Sequence, residues 1–249
     1  MGKTFDLGRT LVIGDVHSGK RALEQALERA NLKPDDHLIF LGDYVDAWSE
    51  AAETVDFLIT LGGTVNCTFL RGNHDDLCLN YLTRSEAPEM WLLHGGQQTK
   101  DSYDAQSQEK IDQHIAFLQR LEDYHLDPVS NRLFLHAGFT NLRGVQHEYF
   151  SKMYYWDRTL WELARVVEQA GAQELPQRLN NYHEIFIGHT PISKKEVVTP
   201  TRAANVWNID TGAAFKGAVS VLDVESKEFW QSDPVEQYYP GEPGRNLAP

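Results

Sequence analysis

Seven side chains able to bind a metal ion or move a proton stand just after short apolar runs in this chain. Asp15 and His17 follow Leu11-Val12-Ile13, Asp43 follows Leu38-Ile39-Phe40-Leu41, and Asn73 follows Cys67-Thr68-Phe69-Leu70. His136 follows Leu133-Phe134-Leu135, His189 follows Ile185-Phe186-Ile187, and Asp210 follows Val206-Trp207-Asn208-Ile209. Oxygen and imidazole donors without sulfur suit first-row divalent ions. Asp43 has two carboxylate oxygens and can bridge two ions. One would be held by Asp15, His17 and Asp43, the other by Asp43, Asn73, His136 and His189. Each ion keeps an open position for water, as a hydrolytic centre requires. These donors alone do not decide the ion; manganese is the first choice, with iron or zinc as alternatives.

Taken singly, each feature has an ordinary explanation. A Gly-Asp after a strand is commonly a turn or a helix cap. A lone histidine at a strand end is commonly solvated or bonded to backbone, and His37, His94, His114, His125, His147 and His183 are assigned to that class. The argument for a metal centre is repetition of one donor set at successive strand ends. A second phosphate signature fails on inspection: Gly14 to Lys20 fits GxxxxGK, but Arg21 stands where a P-loop needs Ser or Thr, and Asp15 would put a carboxylate in the cradle.

The elements that must position these residues are βα units. Apolar runs at 11–13, 38–41 and 67–70 are each followed by a helical pattern, the first carrying Ala22, Leu23, Ala26, Leu27 and Ala30 on one face. The first third is therefore expected to form a mostly parallel sheet covered on both faces. Residues 84–125, with a helix expected over Gln108 to Leu121, read as a helical insertion bordering the site. Strand-like runs return at 133–135, 185–187, 206–209 and 219–222; the later ones lack intervening helices, which predicts a second, mixed or antiparallel sheet. In open α/β sheets ligands bind beyond the carboxyl ends of the strands, where the seven residues fall. The expected organisation is one domain over 1–232, with an extended or poorly ordered tail over 233–249.

At 249 residues the chain can bury a core without staples. Cys67 and Cys78 form no CxxC, which fits a reducing compartment. No apolar run approaches the roughly 20 residues of a membrane span. The N-terminus lacks a secretory signal, and Asp6 spoils a myristoylation pattern, so a cytoplasmic location is expected. The formal charge of −13 disfavours nucleic acid and anionic membranes as partners. It does not exclude phosphate chemistry, because bound cations reverse the local field.

GDVHSG, GDYVDAW, GNHD, HAG and GHT occur in that order. Together they resemble the calcineurin-like metallophosphoesterases, in particular the phosphoprotein phosphatase branch with its GDxHG, GDxVDRG, GNHE/D, His-Gly/Ala and final GH. The resemblance covers roughly residues 10–225. It implies an α/β (α+β) fold in which a two-sheet β-sandwich is flanked by helices in four layers. It implies Asp15, His17, Asp43, Asn73, His136 and His189 as ligands of two divalent metal ions. It implies His74 as proton donor, Asp46 as its paired carboxylate, Arg71 as a phosphate contact and Arg158 as another. Pro191 after GHT breaks the GHxH of other metallophosphoesterases. Ala47 replaces the Arg of GDxVDRG and removes a charge-assisted phosphate contact, for which Lys20, Arg71 or Arg158 would have to compensate. Ser18 replaces the second Gly of GDxHG.

The implied activity is hydrolysis of a phosphomonoester, as in bacterial Ser/Thr protein phosphatases, by a metal-bridging hydroxide with His74 as general acid. Its partners would be phosphorylated proteins or small phosphoesters. Asp210-Thr211-Gly212 instead resembles the DTG of symmetrical diadenosine tetraphosphatases. Those enzymes need a pocket for nucleoside groups, for which Trp91, Tyr103 and Trp156 are candidates against a plainer role in packing. The reading from another class is a metal-bound binding module without catalysis. Substrate and oligomeric state are not legible at this level.

Overall fold

Strands that are apolar on both faces need a covering layer on each side. The computed structural model describes residues 8–192 and 198–245. Residues 1–7, 193–197 and 246–249, which include the ends of the expected domain and tail, lie outside the described residues. The strands are β1 (Thr10–Ile13), β2 (His37–Phe40), β3 (Asn66–Phe69), β4 (Tyr124–Asp127), β5 (Arg132–Leu135), β6 (Glu184–Ile187), β7 (Thr201–Ala203), β8 (Val206–Asn208), β9 (Ser220–Asp223) and β10 (Phe229–Gln231). They form two five-stranded sheets, ordered β10-β9-β1-β2-β3 and β4-β5-β6-β8-β7. β1, β2 and β3 are parallel, as are β5, β6 and β8. The outer strands β4 and β7, and both β9 and β10, pair antiparallel. Both sheets are therefore mixed.

The period of two along each strand assigns its faces. Val12, Ile39, Phe134 and Phe186 point into a core shared by the two sheets, where the Phe134 and Phe186 rings stack at 4.9 Å. Their neighbours Leu11, Ile13, Leu38 and Phe40 face helices on one outer side. Leu133, Leu135, Ile185 and Ile187 face helices on the other. The result is the expected helix–sheet–sheet–helix layering.

The first outer layer contains α1 (Lys20–Arg29), α2 (Ala51–Gly62) and α3 (Asn73–Arg84). Helices continue through α4 (Glu89–Trp91), a π turn at Leu92–Gly96, α5 (Gln97–Asp104) and α6 (Gln108–Gln119). α1 buries Ala22, Leu23, Ala26 and Leu27, the face read from its periodicity. The opposite layer holds α7 (Met153–Trp156), α8 (Thr159–Ala170) and α9 (Gln177–Asn180), all between β5 and β6, while among the described residues no α-helix separates the later strands β6 to β9, as expected. Parallel β5 and β6 cannot be joined without a crossover, and α8 supplies it by burying Leu160, Trp161, Ala164 and Val167. The expected fourth strand of the second sheet, at 219–222, instead becomes β9 and pairs with β1 in the first.

The segment from Asp233 differs from the extended or poorly ordered tail anticipated. Val235 and Tyr239 are buried, and the Tyr239 ring stacks on Trp48 at 5.4 Å. The Tyr239 hydroxyl donates to Glu50 at 2.6 Å, and Ser49 reaches Glu242 at 2.7 Å. An aromatic ring placed on buried indole gives the segment enough apolar contact to order it. No helix among the described residues is long and apolar enough to cross a membrane.

Candidate active site

The turns after β1, β2, β3, β5, β6 and β8 emerge at the carboxyl ends of parallel strands, so the residues they carry converge. Asp15, His17, Asp43, Asn73, His136, His189 and Asp210 are all buried. Asp43 lies at the centre. Its Oδ2 is 3.6 Å from His17 Nε2 and 3.3 Å from His136 Nε2. His17 Nε2 is also 3.7 Å from Asp15, and His136 Nε2 is 3.3 Å from Asn73 Oδ1. His189 joins Asp43 and His136 in one cluster of donors, and His74 joins Asp43 and His17 in another.

Backbone held in the left-handed region turns these side chains inward. His17, Asp43 and His189 have φ of 51°, 55° and 66°, costly for residues with a Cβ. Asp75, the last residue of GNHD, holds one such turn. Its carboxylate accepts from the backbone N–H groups of Asp43, Tyr44 and Gly72, each at 2.8 Å. Two glycines are required by close approach: a Cβ at Gly72 would collide with the Asp43 carboxylate, and one at Gly188 with that of Asp15.

The donors fit two cations. His17 Nδ1 donates to the Val45 carbonyl at 3.2 Å, and His136 Nδ1 to that of Leu41 at 2.8 Å, which leaves each Nε2 facing carboxylates. Neither ring nitrogen of buried His189 has a hydrogen-bond partner among the described residues. Such an orphan needs a ligand. Asp15 is held well above the usual carboxylate range by burial and then by the charge of Asp210. Burial, with the Asp43 charge, pushes Asp75 to about 7 and Asp210 to about 6. Burial would also raise Asp43, but the surrounding His136, His74 and His17 hold it well below its ordinary value. Burial would lower His136, yet Asp43 beside it pushes it up to about 9. A proton on His136 thus partly balances a crowd of carboxylates that divalent ions would balance better. His17 and His189 are driven well below their ordinary values by burial and stand neutral, ready to ligate.

His74 occupies the edge of this cluster. Its Nδ1 donates to Asp46, and its backbone N–H donates to Asp43 at 2.9 Å. Asp46 is fully buried and also accepts from the Trp91 indole at 2.7 Å and the Thr99 hydroxyl at 2.6 Å. Trp91 and Thr99 come from the helical insertion, whose register against Asp46 no local motif announces. Arg158 donates to Thr190 at 3.3 Å and faces the site. It is placed by Asp157, whose carboxylate accepts the Thr159 and Leu160 N–H groups and caps α8. A cavity of about 380 Å³ opens over Asp43, Asn73, His74 and His189, with Trp91, Trp156, Arg158 and Arg245 on its walls.

Two sequence expectations change. Arg71 is not among the cavity-lining residues: its guanidinium donates to the Leu121 carbonyl at 3.1 Å and faces Asp123 at 3.6 Å. The bridge between Leu70 and Glu122 brings that carboxylate alongside and diverts it. Tyr103, a candidate for nucleoside contact, is buried beneath α6 with its hydroxyl 3.0 Å from His114. Lys20 is paired with Glu24 at 2.9 Å. Sequence reasoning missed Asp75, Thr99 and Arg245; for Asp75 alone there was a local signal, an acidic residue at the third position of α3.

Residues 8–215 match the calcineurin-like phosphoesterase family. Serine/threonine-protein phosphatase 1 of Salmonella typhimurium is 23% identical over 86% of this chain and 91% of its own. The symmetrical bis(5'-nucleosyl)-tetraphosphatase of Marinomonas sp. is 27% identical over 88% of this chain and 71% of its own. Among solved structures, a protein serine/threonine phosphatase from Saccharomyces cerevisiae superposes with a TM-score of 0.59 at 14% identity, covering 93% of this chain and 81% of that one.

Proposed function

This chain belongs to the calcineurin-like phosphoesterase family of metal-dependent phosphoester hydrolases, and from that premise we propose that it is a phosphomonoesterase of the Ser/Thr protein phosphatase type. The observation that carries the reading is the His74–Asp46 pair set beside the Asp43-centred donors in an open cavity. Asp15, His17 and Asp43 would hold one divalent ion, and Asp43, Asn73, His136 and His189 the other, with manganese the first choice. When bound, such ions activate water near neutral pH and neutralise phosphoryl oxygens.

The remaining steps belong to side chains. Arg158 draws the phosphoryl group into the cavity by charge-assisted bonds. His74, its ring fixed at Nδ1 by Asp46, presents Nε2 to the leaving oxygen and delivers a proton there, a role worth about 10²–10⁴-fold. Asp46 balances the charge on that ring while Trp91 and Thr99 hold the carboxylate in place.

One observation favours a second reading, hydrolysis of a dinucleoside polyphosphate. Trp156 is 42% exposed at the cavity wall and offers a face on which a base could stack. Phosphate release in manganese from a phosphoserine/phosphothreonine peptide and from diadenosine tetraphosphate, run in parallel, separates the two. Preference for the peptide, abolished by Asp43→Asn, is expected. Preference for the dinucleotide with release of two nucleoside diphosphates would replace the phosphatase reading.

A further inference from the structure

The cavity carries a guanidinium that no motif supplies. Arg245 lies 171 residues from His74 in the chain, yet its Nη1 donates to His74 Nε2 at 3.1 Å. It reaches that point because the segment from Asp233 is anchored along the loop that follows β2. Tyr239 stacks on Trp48, Glu242 accepts from Ser49, and the Arg245 N–H donates to the Ala214 carbonyl at 2.8 Å. Gly244, at φ +56°, passes so close to the Trp48 ring that a Cβ would crowd it.

Ala47 makes room for this arrangement. It is fully buried and contributes no polar side chain to the cavity. A Cβ built on Gly95 would lie 2.5 Å from the Ala47 nitrogen and 3.4 Å from Arg245 Cγ, so the arginine stem runs beside the Ala47 backbone. The guanidinium then rests over the Phe215 ring at 5.4 Å. Among the described residues Arg245 forms no ion pair, whereas Arg71 is turned toward Asp123. A planar cation with its stem supported and no carboxylate partner is preorganised for a phosphate or carboxylate anion. The anion must fit a cavity that also exposes Asp43, Asn73 and Arg158. Divalent ions held there would favour the dianion of a phosphate.

We infer that Arg245 is a phosphate-binding residue, a tail-borne guanidinium that grips the substrate phosphoryl group on its His74 side in place of any side chain from position 47. This rests on the phosphoesterase reading above. On phosphate entry, Arg245 exchanges its bond to His74 Nε2 for phosphoryl oxygens, and that nitrogen, no longer occupied as an acceptor, takes up a proton from solvent and faces the leaving group.

The test is calorimetric binding of inorganic phosphate to the full-length, manganese-loaded protein, with Arg245→Ala and Arg245→Gln. The glutamine keeps the stem beside the Ala47 backbone but lacks the charge, so it guards against misfolding. Both variants should bind phosphate about 10- to 100-fold more weakly, the loss expected for a hydrogen bond to a charged group. Their manganese affinity, read from free-ion paramagnetic resonance, should stay within about twofold, because Arg245 contacts no residue assigned as a metal ligand. Unchanged or tighter phosphate binding in either folded variant overturns the inference and would make Arg245 an obstruction to His74. Wild-type protein that binds phosphate through Arg245 yet releases none from any ester would sink the catalytic reading alone.

Discussion

Replacing Asp46 by Asn tests the proton-transfer assignment with little structural disturbance. The carboxylate accepts from His74 and Trp91 at Oδ2 and from Thr99 at Oδ1. An asparagine oriented with its oxygen toward His74 and Trp91 keeps both of those bonds. Its amide nitrogen then meets the Thr99 hydroxyl, which can rotate to accept. Shape and hydrogen bonding survive, so stability should fall by only about 1 kcal/mol. What disappears is the negative charge opposite the His74 ring. A hydrogen bond to a charged group is worth about 1.5–3 kcal/mol, which converts to a loss of about 10- to 100-fold in rate wherever His74 must donate a proton. An alkyl leaving group such as phosphoserine needs that proton, and p-nitrophenolate hardly does. With manganese saturating, kcat/KM on a phosphoserine peptide should fall by that factor while p-nitrophenyl phosphate loses about threefold or less. Thermal melts of both proteins exclude unfolding as the cause. Equal losses on the two substrates would refute the acid role of His74 and leave Asp46 as a structural support only.

Metal affinity should depend on pH through particular groups. His136 is raised to about 9 by Asp43, so at neutral pH it holds a proton that incoming cations must displace, and burial with the Asp210 charge disfavours the ionised Asp15 that ligation needs. His17 and His189 are already neutral and contribute nothing in that range. Manganese should therefore bind more tightly as pH rises from 6 to about 9 with net proton release, measured by titration calorimetry in buffers of different ionisation enthalpy; binding without proton release would contradict the assignment. Gly188→Ala should push the Asp15 carboxylate off its position, weaken manganese at least about tenfold and cost about 1–3 kcal/mol from overpacking. Resonance titration and a denaturant melt check this, and wild-type affinity in a folded Gly188→Ala protein would show that Asp15 is not a ligand.

The donor set was legible because each donor sits within four residues of its own strand end. Strand, turn and ligand are then one local signal, and the βα pattern implies that such turns share an edge of the sheet. For the same reason Asp15, His17, Asp43, Asn73, His136 and His189 can be grouped from the sequence, and the two-sheet layering follows from motifs in a fixed order. The crossover helix α8 was readable in principle, since Leu160, Trp161, Ala164 and Val167 recur at helical spacing between the capping Asp157 and the left-handed Gly171.

The chain's own order could not decide which distant groups would meet those ligands. Arg71 has the residue type of a phosphate contact, yet the Leu70–Glu122 bridge sets it against Asp123. Thr99 and Trp91 secure Asp46 across separations of 53 and 45 residues, and Arg245 enters only because Tyr239 finds Trp48. Sequence alone determined the set of donors that could hold metal ions and the strands that present it, through local patterns of apolar runs and donors. Tertiary structure decided the aim of each cationic side chain and the grip on His74 and Asp46, because those depend on packing between segments that carry no mark of one another.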